Sequence, residues 1–192
     1  MVTPTFNISD YRERDRAPRT SKPHLDDDCL RYRLDVVAAA DDAVRAAGGW
    51  MYDRVMAGWE VTVLLPQGCD TRPLQILGVR AVDLDSGFTR PMSQGLAVSA
   101  EVFTADARVR AKVLKALDQR STEVALWGDG CSLGVHRGMT RVQHVLSAAA
   151  RVYKAHALAA AEIGCGTVDP TETLLCDLAT GLPVDSELIR LG

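Results

Sequence analysis

The residues best suited to chemistry lie between Thr122 and Ile163, where a short apolar run (Val124, Ala125, Leu126, Trp127) leads into Asp129, Cys131, Ser132 and His136, interleaved with glycines at 128, 130, 134 and 138. Cys131 beside His136 suggests a thiol nucleophile, because a helix N-terminus and neighbouring cations favour the thiolate. Arg137 and Arg141 suggest a different use. If a helix begins near Met139, they lie one turn apart at its start, where guanidinium groups and free backbone amides can hold a phosphate or carboxylate. The glycines match neither the dinucleotide-binding nor the Walker A spacing, so no nucleotide is specified and any cofactor is unknown.

The preferred reading is therefore a regulatory or ligand-binding domain that holds a small anionic ligand on Gly128, Gly130, Ser132, Arg137 and Arg141. An enzyme using Asp129, Cys131 or His136 on the same loop is one alternative. A protein-interaction or DNA-associated regulator is another, using the charged N-terminal residues and a basic strip of Arg137, Arg141, His144 and Arg151. No helix-turn-helix pair, zinc finger or aromatic-interleaved basic strand accompanies that strip, which makes nucleic acid an unlikely partner.

These residues need elements to position them. The run at 123 to 127 reads as a strand, and a long alanine-rich helix is expected from about Met139 to Ile163, with Val142, Val145, Leu146, Ala149, Val152, Tyr153 and His156 on its apolar side. Such a helix can pack closely against a sheet or a second copy of itself, which suggests a homo-oligomer. Upstream, Leu30, Leu34, Val37 and Val44 recur at helical intervals behind Asp26, Asp27 and Asp28, which would cap the first turn of a helix spanning 28 to 57. Gly48 and Gly49 are expected to interrupt or bend it. Trp50, Tyr52 and Trp59 read as core, with an aromatic ligand shelf as the less favoured use.

Trp59 to Leu65 is the clearest strand, and Leu74 to Val82 is a second apolar segment, too close to it for a helical crossover and so an antiparallel neighbour. Leu96 to Phe103 is a strand or the lead into a helix from about Ala105 to Asp118, capped by Thr104 or Asp106. The tail offers one more strand at Thr173 to Leu178. Asp83-Leu84-Asp85, following an apolar segment, is similar to the D-x-D-x-T opening of haloacid-dehalogenase-like phosphotransferases. Gly87 stands where that motif has threonine, and the aspartates are read as turn formers.

Composition bounds the rest. With 192 residues, 47% hydrophobic and 24% charged, the chain can bury one core. A net charge of −3 gives no global attraction to nucleic acid or an anionic membrane. Five widely spaced cysteines form no C-x-x-C pair, so zinc and structural disulfides are not expected. No signal-peptide pattern or spanning apolar run is evident, and the protein is expected in the cytoplasm. Arginine far outnumbers lysine, which suggests a GC-rich bacterial coding source. Residues 1 to 25 alternate charges around Pro4, Pro18 and Pro23 and read as a mobile arm. Residues 26 to 192 read as a single α/β domain, with a mixed sheet of four or five strands against three main helices.

Overall fold

The computed structural model describes residues 31–128, 139–164, 166–177 and 188–190. The expected arm at 1 to 25 and the aspartates at 26 to 28 lie outside the described residues. In chain order the elements are β1 (Arg33–Val37), α1 (Ala40–Met56), β2 (Glu60–Leu65), α2 (Arg72–Ile76), β3 (Arg80–Asp83), α3 (Leu84–Phe88) and β4 (Gly95–Ser99). There follow α4 (Ala100–Ala105), α5 (Ala107–Gln119), β5 (Glu123–Trp127), β6 (Met139–Val145), α6 (Ala148–Ala160), β7 (Thr171–Asp177) and β8 (Leu188–Arg190).

The strands form one sheet in the order β3-β2-β1-β4-β5-β7-β6-β8. The first five are parallel, and β7, β6 and β8 add antiparallel neighbours. A single α/β domain with a mixed sheet is thus what the chain forms, but with eight strands and six helices among the described residues rather than four or five and three. No helix among them is long and apolar enough to cross a membrane.

Burial on both faces explains the central strands. Leu34, Val36 and Ala38 face one core with Met51 and Val63, while Val37 faces the other with Leu64, Leu96 and Val98. A parallel strand covered on both sides reads as a nearly unbroken apolar run, and β1 (Leu34 to Val37) has that run with one aspartate inside it. The helical interval of Leu34 and Val37 is therefore coincidental: from residue 31 onward, the expected 28 to 57 helix is a strand, a short turn, and α1 from Ala40.

Gly48 and Gly49 do not break α1, which continues to Met56. They are sites of close approach. A Cβ on Gly49 would meet the Leu146 side chain at 2.5 Å. The amides of Gly49 and Trp50 donate to the two carboxylate oxygens of Glu172 on β7 at 2.9 and 2.7 Å. Trp50 and Tyr52 are buried, and the Arg54 guanidinium lies 5.7 Å from the Trp50 ring and 5.0 Å from that of Trp59. These aromatics are core rather than a shelf.

Two other expectations change. Leu74 to Val82 is not an antiparallel strand: its first half is α2, with Pro73 in the opening turn where a missing N–H costs nothing, and only Arg80–Asp83 is a strand, parallel to β2. A five-residue helix is a long enough crossover. The helix expected from Met139 begins instead at Ala148, because residues 139 to 145 pair with β7 as β6. Asp106 caps α5 by accepting from the Arg108 amide at 2.7 Å. Asp83 caps α3 by accepting from the Asp85 amide at 2.9 Å, in keeping with its reading as a turn former.

Candidate functional site

From β1 the chain proceeds through β2 and β3 to one side of the sheet, and from β4 through β5 to the other. Adjacent parallel strands whose connections diverge leave a crevice outside their C-terminal ends, and α/β proteins place ligands there. In this chain the switch lies between β1 and β4. Around it converge Ala38-Ala39-Ala40 after β1, Ala100 after β4, and Gly128 after β5. Gly128 has φ +91, which a side chain resists, and a Cβ there would approach Ala100 Cβ at 3.4 Å.

One polar contact bridges this edge. Trp127 Nε1 donates to Asp42 Oδ2 at 3.0 Å, joining the end of β5 to the first turn of α1 across the intervening β4. Ala39 at the N-cap offers no side-chain acceptor, so Asp41 and Asp42 are the groups that complement the positive end of this 17-residue helix. Asp41 also faces an adjoining cavity of about 430 Å³ outside the ends of β1 and β2, lined further by Gly68, Cys69, Asp70, Arg72 and Glu162.

The charges of this cavity are unevenly committed. Arg72 donates to Asp70 Oδ2 through Nε at 2.8 Å and Nη2 at 2.6 Å. That pairing holds the Asp70 carboxyl below its ordinary range and raises Arg72. With its one guanidinium engaged by Asp70, the cavity also presents Asp41 and Glu162, which form no ion pair within 4 Å among the described residues, although Glu162 lies near enough to Arg72 to favour its charge. It suits a cation better than an anion. Among the described residues no group of three or more His, Cys, Asp or Glu side chains is placed to hold a metal ion.

The sequence candidates fall as follows. Gly128 is at the edge. Arg141 is an exposed residue of β6, opposite Leu175, as Leu126 is from the other side, so β7 separates Arg141 from β5. Residues 139–145 are a strand and so provide no helix N-terminus beside Arg141. Asp129, Gly130, Cys131, Ser132, His136 and Arg137 lie outside the described residues. His144 and His156 exchange expected places. His144 is buried on β6 with Nε2 2.8 Å from Asp53 Oδ2, whereas His156 is exposed on α6. The basic strip thus spans a strand and a helix and does not share one helical face.

Asp41, Asp42, Asp70 and Glu162 escaped the sequence reading. A signal for the first two was present: an apolar run, three alanines and then two acids mark a strand passing directly into a helix.

No family model matches the sequence, and no curated protein matches it. The fold does match solved α/β structures of one enzymatic class. A deacetylase triple mutant of the teicoplanin biosynthetic pathway aligns over 83% of this chain and 98% of its own, with a TM-score of 0.54 at 13% identity. The A40926 pseudoaglycone deacetylase aligns over 84% and 98%, with a TM-score of 0.51 at 14% identity. A zinc-inhibited form of the teicoplanin deacetylase gives 0.53 at 13% identity. These likenesses establish a shared fold. They also count against the preferred sequence reading of a regulatory ligand-binding domain, since the structures that share the fold are deacetylases.

Proposed function

We propose that the chain is a hydrolytic enzyme that removes an acyl group from an amine at the C-terminal edge of β1, β4 and β5. The observation that carries this reading is the crevice at the switch between β1 and β4, where Trp127 at the end of β5 meets Asp42 of α1, in a fold shared with deacetylases over most of the chain. Asp129, Cys131 and His136 come next in the sequence after Gly128, which follows β5 at that edge, and they are the residues we assign to the reaction.

The chemistry follows from their types. Water attacks the acyl carbon while His136, with Asp129 as its carboxylate partner under this proposal, takes its proton; the C–N bond then breaks as the nitrogen receives that proton, and the amine released takes the carboxylic acid's proton in turn. The products are a carboxylate and an ammonium. Asp41 and Glu162 beside the edge complement the ammonium, a role an anion-binding site could not fill. The neighbours' zinc-inhibited form raises the question of a metal, but the described donors do not make a ligand set, and no step here depends on one.

The test is release of acetate and of free amine from N-acetylated amino sugars and N-acetylated aliphatic amines, with and without added divalent metal. Turnover that His136→Ala and Asp129→Ala each reduce by about a hundredfold or more supports the assignment. Absence of product from every substrate by the wild-type chain refutes it.

A further inference from the structure

The face of the sheet covered by α3 and α5 holds a charged cluster that the proposed reaction does not use. Asp35 sits in the middle of β1 and is 1% exposed. Val37 and Leu64 on this face pack with Val109 and Val113 of α5. Side chains alternate along a strand, so Arg33 and Asp35 share the face of Val37, and Thr62, which pairs with Asp35 in register, shares that of Leu64. A carboxylate this deep in a parallel sheet needs hydrogen-bond donors, because burial without them is costly. Asp35 Oδ2 has none among the described residues.

The groups that could answer it are near but do not reach it. Lys112 extends from α5 with its ammonium 5.1 Å from the centre of the Phe88 ring, and its Nζ is buried without a hydrogen-bond partner. Arg33 Nη2 is in the same condition. Burial lowers the Lys112 ammonium below its ordinary range; Asp35 opposes that fall, and Arg90 and Arg33 add to it. All four charges therefore act on one small volume. Arg90 is already oriented, donating from Nη1 to Thr62 Oγ1 at 3.3 Å and from Nη2 to Glu60 Oε1 at 3.5 Å. Neither Arg33 nor Lys112 forms an ion pair with Asp35.

That composition selects a ligand. Two unpartnered cationic donors, with a third cation beside them, call for anionic oxygens. One unpartnered carboxylate oxygen calls for a donor. A small oxyanion that keeps a proton supplies both: its charged oxygens accept from Arg33 and Lys112 while its hydroxyl donates to Asp35. An anion without a proton, such as sulfate, offers the carboxylate nothing and is repelled by it. Arg33, Arg90 and Lys112 are each partly exposed, so the cluster meets solvent through them.

We infer that Arg33, Asp35 and Lys112 form a binding site for a small protonated oxyanion, of the class of hydrogen phosphate and bicarbonate. Its residues are not those of the 128 to 141 loop, and it stands whether or not the edge of β1, β4 and β5 catalyses a reaction.

Isothermal titration calorimetry of the full chain near neutral pH, with phosphate, bicarbonate and sulfate at matched ionic strength, tests it. Saturable binding of phosphate or bicarbonate, about tenfold or more tighter than sulfate, is expected. Lys112→Gln, at a partly exposed position, should raise the dissociation constant of the bound anion by about tenfold, since it removes one charge-assisted bond. Asp35→Asn replaces the carboxylate with an amide that can itself donate, so it should narrow the preference over sulfate. Circular dichroism melting shows whether the variants fold; if Asp35→Asn does not, the wild-type preference and the Lys112→Gln loss decide the matter alone. No saturable binding of either protonated anion overturns the inference. Sulfate binding of equal strength also overturns it, as does a preference over sulfate that persists in folded Asp35→Asn. An affinity untouched by Lys112→Gln overturns it by placing the site elsewhere.

Discussion

Trp127 does two things at the end of β5. Its ring is almost fully buried, and its indole N–H reaches Asp42 at 3.0 Å, tying a parallel strand to a helix that begins two strands away. A bond to a carboxylate in a partly buried place contributes more than a neutral pair. Trp127→Phe keeps most of the apolar bulk and removes the donor. It should lower stability by about 1–2 kcal/mol. Asp42→Asn retains an acceptor oxygen and should cost less. Urea unfolding of the two variants distinguishes them, and Trp127→Phe with unchanged stability would show that the bridge contributes nothing. Because Trp127 immediately precedes Gly128 and the residues assigned to catalysis, its replacement should also reduce turnover in any assay that detects it.

Among the elements, α5 has the best defined start. Asp106 accepts from the Arg108 amide and from its guanidinium, with Nη2 at 2.8 Å. The side-chain bonds from Arg108, followed by the backbone bond, bring the Asp106 carboxyl down to about 2. A carboxyl whose folded value is depressed stabilises the fold above its unfolded value of about 3.9, and that contribution disappears as pH falls towards 2. Asp106→Asn still caps the helix but does not titrate. Its stability difference from the wild type should therefore shrink between about pH 4 and pH 2 in acid-unfolding curves, and a constant difference would contradict the cap's charge. Asp106→Ala should cost about 1 kcal/mol at neutral pH.

How well each element could be read depended on what decides it. The Asp106 cap of α5 and the β-branched run of β2 are local signals and match the structure closely. The error at β6 arose because Met139 to Val145 continues an alanine-rich helical pattern, while its actual partner, β7, lies more than twenty residues onward. Strand pairing over that separation leaves little trace in a single segment. The error at β1 had the opposite cause: a strand buried on both faces lacks the alternation that identifies half-buried strands. The acidic edge was invisible for a related reason. Asp41, Asp70 and Glu162 are brought together only by the order of the strands.

At the scale of the whole molecule, the parallel half of the sheet is joined to its antiparallel extension through a buried ion pair. Lys154 on α6 reaches Glu172 on β7 at 2.5 Å, and the same carboxylate accepts two amides from the middle of α1. Burial pushes the Glu172 carboxyl above its ordinary range, while Lys154 and the amides of Trp50 and Gly49 pull against that rise. Removing one member of such a pair strands the other charge, so Lys154→Met should destabilise the protein by about 3–5 kcal/mol at neutral pH. The pH dependence has a definite sign. A carboxyl whose folded value is raised favours the folded state below its unfolded value of about 4.3, and that contribution is lost as pH rises through the folded value. Without Lys154 the folded value rises further, and the deficit of Lys154→Met should narrow as pH falls from 8 towards 5. Adding Glu172→Gln should abolish that narrowing. Chemical denaturation across this range gives the answer, and a deficit independent of pH in the single variant would mean that lost packing of the lysine stem, not a stranded carboxylate, is what the substitution exposes.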